Sequence, residues 1–95
     1  MIRREGDRLF LEGAVTIDAV PDLLRRGLAL LADGETRIDL AGVTAADSSA
    51  VALLLEWLRA AQRTGNRVVY LNLDNSLKSL VDLYGVTELL PVAHA

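Results

Sequence analysis

A small α/β domain with a mostly parallel sheet is what the sequence predicts, on three observations. Stretches of strand character alternate with stretches of helical period, and that order requires crossover connections between parallel strands. The 95 residues suffice for one domain with one thin core. That core has to be aliphatic, because hydrophobic residues make up 52% of the chain and aromatic ones only 4%.

The elements follow in order. Residues 1–5 and 8–15 (RLFLEGAV) read as strands, with Glu5-Gly6-Asp7 between them as a turn of hairpin length. The first of these strands would lie on an exposed edge. Residues 18–32 read as a helix capped by Asp18, with Pro21 in the first turn, where a missing N–H is tolerated. Its apolar stripe is read as Val20, Leu24, Leu28 and Leu31, and Arg25 and Arg26 point elsewhere. Gly27 weakens the middle of this helix by about 1 kcal/mol relative to Ala. Gly34 is the expected left-handed residue past its end.

Residues 36–40 (TRIDL) make a short strand, and residues 41–46 lead out of it. From about residue 48 to 64 comes the clearest helix. Ala50, Leu53, Leu54, Trp57, Leu58 and Ala61 fall on one face, and Gly65-Asn66 stops it. Residues 67–73 are a strand whose centre, 68–71, is apolar without alternation, as in a strand covered on both faces or nearly so. Asp74-Asn75-Ser76 caps a last helix with the stripe Leu77, Leu80, Val81 and Tyr84, ended by Gly85. Residues 87–90 can add one turn, and 91–95 are expected to form a loose tail of the single 1–95 domain.

Composition excludes several functions. The net charge is −3 with no basic stripe, so a nucleic-acid backbone has little to pull on. There is no cysteine, hence no disulfide framework and no thiolate metal site. The one histidine, His94, would place any metal or general-base device on the tail, and both are set aside. Two arginines near the start are not followed by an apolar h-region, so no signal peptide is read there. The longest apolar run, 50–55, is far short of the roughly 20 residues of a membrane span. The phosphate-cradling loops G-x-x-x-x-G-K-[ST] and G-x-G-x-x-G are missing, as is the G-x-S-x-G elbow. The reading is a cytoplasmic domain without metal or cofactor.

The stretch AADSSAVALLL, residues 45–55, is the candidate site. A helix needs one N-cap, and Asp47, Ser48 and Ser49 offer three. A hydroxyl at a helix N-terminus sits among unpaired N–H groups, where a phosphate is welcome. Such junctions lie at the carboxyl ends of parallel strands, where sites tend to occur. Val51 and Leu55 fall between the core stripe and the charged face. Either neighbouring elements cover them, or they form an apolar patch beside Ser48 that suits a protein partner.

Through IDLAGVTAADSSAVALLL and GNRVVYLNLDNSLKSLVDLYGV the chain resembles the STAS domains, the family of anti-sigma-factor antagonists and transporter-associated regulators. The shared pattern is a strand, then D-[ST]-x-[GA], an apolar helix, a Gly-Asn turn, a strand, and a helix ending at Tyr-Gly. The resemblance implies a mixed sheet of about four strands, an N-terminal hairpin plus parallel strands, with helices mainly on one face. It implies no enzymatic activity. Within the family, IDLAGVTAADSSAVALLL and LDNSLKSLVDLYGVTELLP resemble the MlaB-type branch most. There Ser48 is implied to touch the ATPase subunit of an ABC-type phospholipid transporter, at the inner face of the membrane and only through that complex. In the anti-sigma-antagonist branch the same position is phosphorylated by a kinase-type anti-sigma factor, with Ser49 as the fallback acceptor.

The expected partner-binding set is Asp47, Ser48, Ser49, Val51 and Leu55, with Arg25 at the rim. Ala50 departs from the family's usual Gly, and a methyl there would narrow the backbone approach, favouring docking over phosphotransfer. A homodimer paired along the first strand is left open. A hydrolase built on Ser48 or Ser49 lacks a placed base and an oxyanion loop.

Overall fold

In the computed structural model, which describes residues 1–93, the order is β1 (Ile2–Glu5), β2 (Arg8–Val15), α1 (Val20–Leu30), β3 (Glu35–Ala46), α2 (Ser48–Arg63), β4 (Arg67–Leu71), α3 (Asn75–Leu83) and β5 (Val92–Ala93). One five-stranded sheet runs β1-β2-β3-β4-β5. The β1–β2 pair is antiparallel and the remaining pairs are parallel. The mixed α/β architecture agrees with the sequence, with one strand more than the four expected. The extra strand falls in the expected loose tail, where Val92 and Ala93 pair with Tyr70 and Leu71. His94 lies outside the described residues. No helix among the described residues is long and apolar enough to cross a membrane.

Glu5 pairs with Arg8, so Gly6 and Asp7 alone turn the hairpin. Gly6 has φ +63, a left-handed conformation that glycine adopts without steric penalty. Burial alternates along the strands. Leu9, Leu11 and Val15 of β2, Ile38 and Leu40 of β3, and Val68 and Tyr70 of β4 join the helices in one buried cluster. The helices therefore lie on one face, because successive strand residues point to opposite sides. The other face carries polar pairings, with the Arg3 guanidinium 4.6 Å from the Phe10 ring. Strand β4 comes near the expected double coverage: Val68 and Tyr70 are buried on one side, and on the other Leu71 is buried while Val69 is half-buried.

Helix α1 departs from its sequence reading. Ala19 stands at the N-cap without a side-chain hydrogen bond, so Asp18 does not cap it, and the helix ends at Leu30. The stripe is rotated: Leu23 and Gly27 are buried, while Leu28 is 41% exposed. Gly27 explains the rotation. A Cβ there would stand 2.4 Å from the ring of Trp57. The absent side chain lets α1 and α2 close over the indole, whose Nε1–H donates to the Leu24 carbonyl at 3.3 Å.

Helix α2 obeys its expected stripe, and all six stripe residues are buried. It is also pinned to the sheet by a polar contact. The Tyr70 hydroxyl, buried beneath it, donates to the Leu54 carbonyl at 2.5 Å. Burial pushes the phenol's pKa above its ordinary value, so this hydroxyl stays a donor. Tyr70→Phe is expected to lower the unfolding free energy by about 1 kcal/mol, read as a lower urea midpoint at unchanged slope.

Candidate functional site

Strand β3 runs six residues beyond its expected end. Gly42, Val43, Ala45 and Ala46 pair with Glu12, Gly13, Ala14 and Val15, through two register shifts. This extension delivers Asp47 to the tip of the sheet, beside the junction between β2 and α1. There the Asp47 N–H reaches the Val15 carbonyl at 3.4 Å.

Asp47 is the N-cap of α2, with extended backbone (φ −121, ψ −171). Its Oδ1 accepts the Ser49 N–H at 2.9 Å and also the Ser49 hydroxyl. Its Oδ2 accepts the Ile17 N–H at 3.1 Å. One carboxylate thus caps one helix and ties down the loop that starts another. These bonds, the Ser49 hydroxyl's first, hold the Asp47 carboxyl below its ordinary pKa despite partial desolvation. A depressed pKa contributes stability that is present above the unfolded value and is lost as pH falls through the folded one. Wild type should therefore exceed Asp47→Asn in stability at neutral pH, and the gap should close below about pH 4. Paired urea titrations from pH 7 to pH 2 measure it, and a gap independent of pH would contradict the assignment.

The three candidate caps thus have three different positions. Asp47 caps, and Ser49 is half-buried with its hydroxyl committed to Asp47. Ser48, in the first turn, is exposed, and its hydroxyl has no protein partner among the described residues. The neighbouring apolar pair fares differently from the expectation of a patch. Val51 is 4% exposed and belongs to the core, so it offers no contact to a partner. Leu55 is half-buried and packs against the same cluster. Helix α2 touches α1, α3 and β4, and these contacts widen its buried arc to include Val51. Ala50 is buried as well, so its methyl faces the core and does not narrow an approach from outside.

Arg25 is exposed and ion-paired with Asp22; no hydrogen bond or ion pair among the described residues joins it to 47–49. The tip instead presents Ile17, 70% exposed, which the sequence reading missed. Its signal was an apolar residue between Thr16 and Asp18, just past the strand end. Asp18 and Asp47 have no cationic partner among the described residues, so the tip is acidic. A concavity of about 580 Å³ lies elsewhere, lined by Leu73, Lys78, Val81 and Leu90 among others. Among the described residues no group of three His, Asp or Glu is placed to hold a metal ion. The site is an exposed tip on which the Ser48 hydroxyl is free, suited to contact rather than to enclosing a small substrate.

Comparisons with known proteins bear on the family and the fold. The family model described as "Mlab, STAS domain" matches residues 2–91. No curated protein matches the sequence. Among solved structures, the anti-sigma factor antagonist SpoIIAA in its unphosphorylated form superposes with TM-score 0.77 at 17% identity, over 100% of this chain and 86% of that one. A Thermotoga maritima protein assigned to the anti-sigma factor antagonists gives 0.78 at 10% identity, over 100% and 85%. A protein called Mglu gives 0.61 at 27% identity over 79% of this chain, but only 20% of its own length. At such identities the first two likenesses establish the fold.

Proposed function

Because the chain belongs to the STAS domain family described by the MlaB-type model, we propose that it is a non-catalytic subunit that binds and regulates the ATPase subunit of an ABC-type phospholipid transporter. The observation that carries this reading is the division of labour at the α2 N-terminus. Ser48 is exposed and unengaged, while Asp47 and Ser49 fix the backbone on either side of it. A polar group on a fixed backbone is what a docking contact needs, since little freedom is lost on binding. Docking there shifts the ATPase toward its assembled form, because the tip binds that form in preference to the free one. The domain then sits at the inner face of the membrane only through the complex.

A second reading rests on the same free hydroxyl. Ser48 is accessible to a kinase-type anti-sigma factor, and phosphate there would add about −1.5 to −2 charge beside Asp47 and break the contact. Ser49 is the poorer acceptor, because its hydroxyl is already bonded. One experiment separates the two. The tagged chain is isolated from its native cells, and the proteins that accompany it are identified. Recovery of an ABC ATPase supports the transporter reading. Recovery of an anti-sigma kinase, with one phosphate added to Ser48 on incubation with ATP, supports the second.

A further inference from the structure

The tip beside Ser48 has a property that its helix does not. Residues 13–17 and 41–46, joined by the last β2–β3 pairs, contain no charged side chain in a chain that is 24% charged. Earlier in the same two strands stand Arg8, Glu12, Glu35, Arg37 and Asp39. Ala14 and Ala45 pair with each other and are exposed, so the uncharged strip faces solvent. At its end Ile17 projects, 70% exposed.

A lone exposed apolar side chain is ordinary on a protein surface. Ile17 differs in that both polar groups of the peptide before it are bonded. Its N–H is bound by Asp47 Oδ2, and the Thr16 carbonyl before it accepts the N–H groups of Ala19 and Val20 at 2.9 and 3.1 Å. A side chain presented on a fixed backbone loses little entropy when a partner covers it. Loss of charge over a patch with an apolar anchor is how the centre of an interface differs from the surface around it.

We infer that the docking surface runs across this sheet tip rather than down α2, with Ile17 as its apolar anchor. The partner protein supplies an apolar pocket for Ile17, flanked by a cationic side chain that meets Asp18 and Asp47, two acidic groups at this tip that have no cationic partner among the described residues. This inference rests on the docking reading and extends it to a surface that excludes Val51 and Arg25.

The test uses the full chain and the ATPase subunit, with affinity measured by calorimetry. Ile17→Ser is expected to raise Kd at least about tenfold while leaving Tm unchanged, because the side chain is exposed in the free protein. Ala45→Glu, which places charge on the strip, is expected to do the same and guards against a folding defect in the first variant. Leu28→Ser, a similar deletion on the exposed side of α1, should stay within about twofold. Wild-type affinity in both Ile17→Ser and Ala45→Glu, with binding lost in Ser48→Glu, overturns this inference and leaves docking through the helix tip standing. Wild-type affinity in all three overturns docking at the tip altogether.

Discussion

Replacing Trp57 with alanine is expected to lower the unfolding free energy by about 3–5 kcal/mol. The indole is fully buried between α1 and α2, and its N–H has a carbonyl partner in Leu24. A domain of this size has roughly 5–15 kcal/mol in all, so the loss is a large fraction of its margin. Its Tm should fall by at least about 12 °C, read by circular dichroism. Gly27→Ala tests the same contact from the other side. In an unobstructed helix this change stabilises by about 1 kcal/mol. Here the new methyl meets the Trp57 ring at 2.4 Å, and overpacking of that kind costs about 1–3 kcal/mol. In the Trp57→Ala background the obstruction is gone, so Gly27→Ala should change sign and stabilise. An unchanged sign in the double-mutant cycle would mean that Gly27 is not there to admit the indole.

Gly27 also shows why part of the fold was legible and part was not. Strand and helix order follows from periodicity, and α2, whose stripe repeats over four turns, was read in the right phase. Helix α1 has leucines at 23, 24, 28, 30 and 31, and such a run fits more than one phase. What selects the phase is the glycine that admits a large ring from α2, a contact between residues thirty apart that no local pattern carries. Strand β3 was cut short for a related reason. Ala, Gly and Ala dominate its second half and have little intrinsic strand preference, so only pairing with β2 makes it a strand. The fifth strand is two residues long and likewise exists through its partner.

The candidate site was legible as a position but not as a surface. Three adjacent capping residues mark the junction, and the resemblance to the family runs through the whole of IDLAGVTAADSSAVALLL and GNRVVYLNLDNSLKSLVDLYGV. The assignment of Val51 to a patch failed because a helix flanked by two others buries a wider arc than its main stripe suggests. Ile17 escaped notice because it lies thirty residues before Asp47, and the hydrogen bond that brings the two junctions together is a tertiary contact.

Ser48→Glu is expected to weaken the complex with the ATPase subunit by about a hundredfold or more. A longer, charged side chain would then replace a small hydroxyl within the contact, in excess of the one cation that meets Asp18 and Asp47, and a charge desolvated at an interface without a partner costs several kcal/mol, each 1.4 kcal/mol being tenfold. The fold should not object. Ser48 is exposed, its hydroxyl serves no described group, and an acidic side chain in the first helical turn interacts favourably with the helix dipole. Affinity should therefore collapse while Tm stays or rises slightly, a combination that a folding defect cannot produce. Ser49→Ala should give the opposite pattern. It removes the hydroxyl that bonds Asp47, so Tm should fall, while the exposed docking atoms remain and affinity changes little. If Ser48→Glu and Ser49→Ala instead changed both quantities in parallel, the two serines would be equivalent parts of one cap. The separation of roles on which the docking reading depends would then be lost.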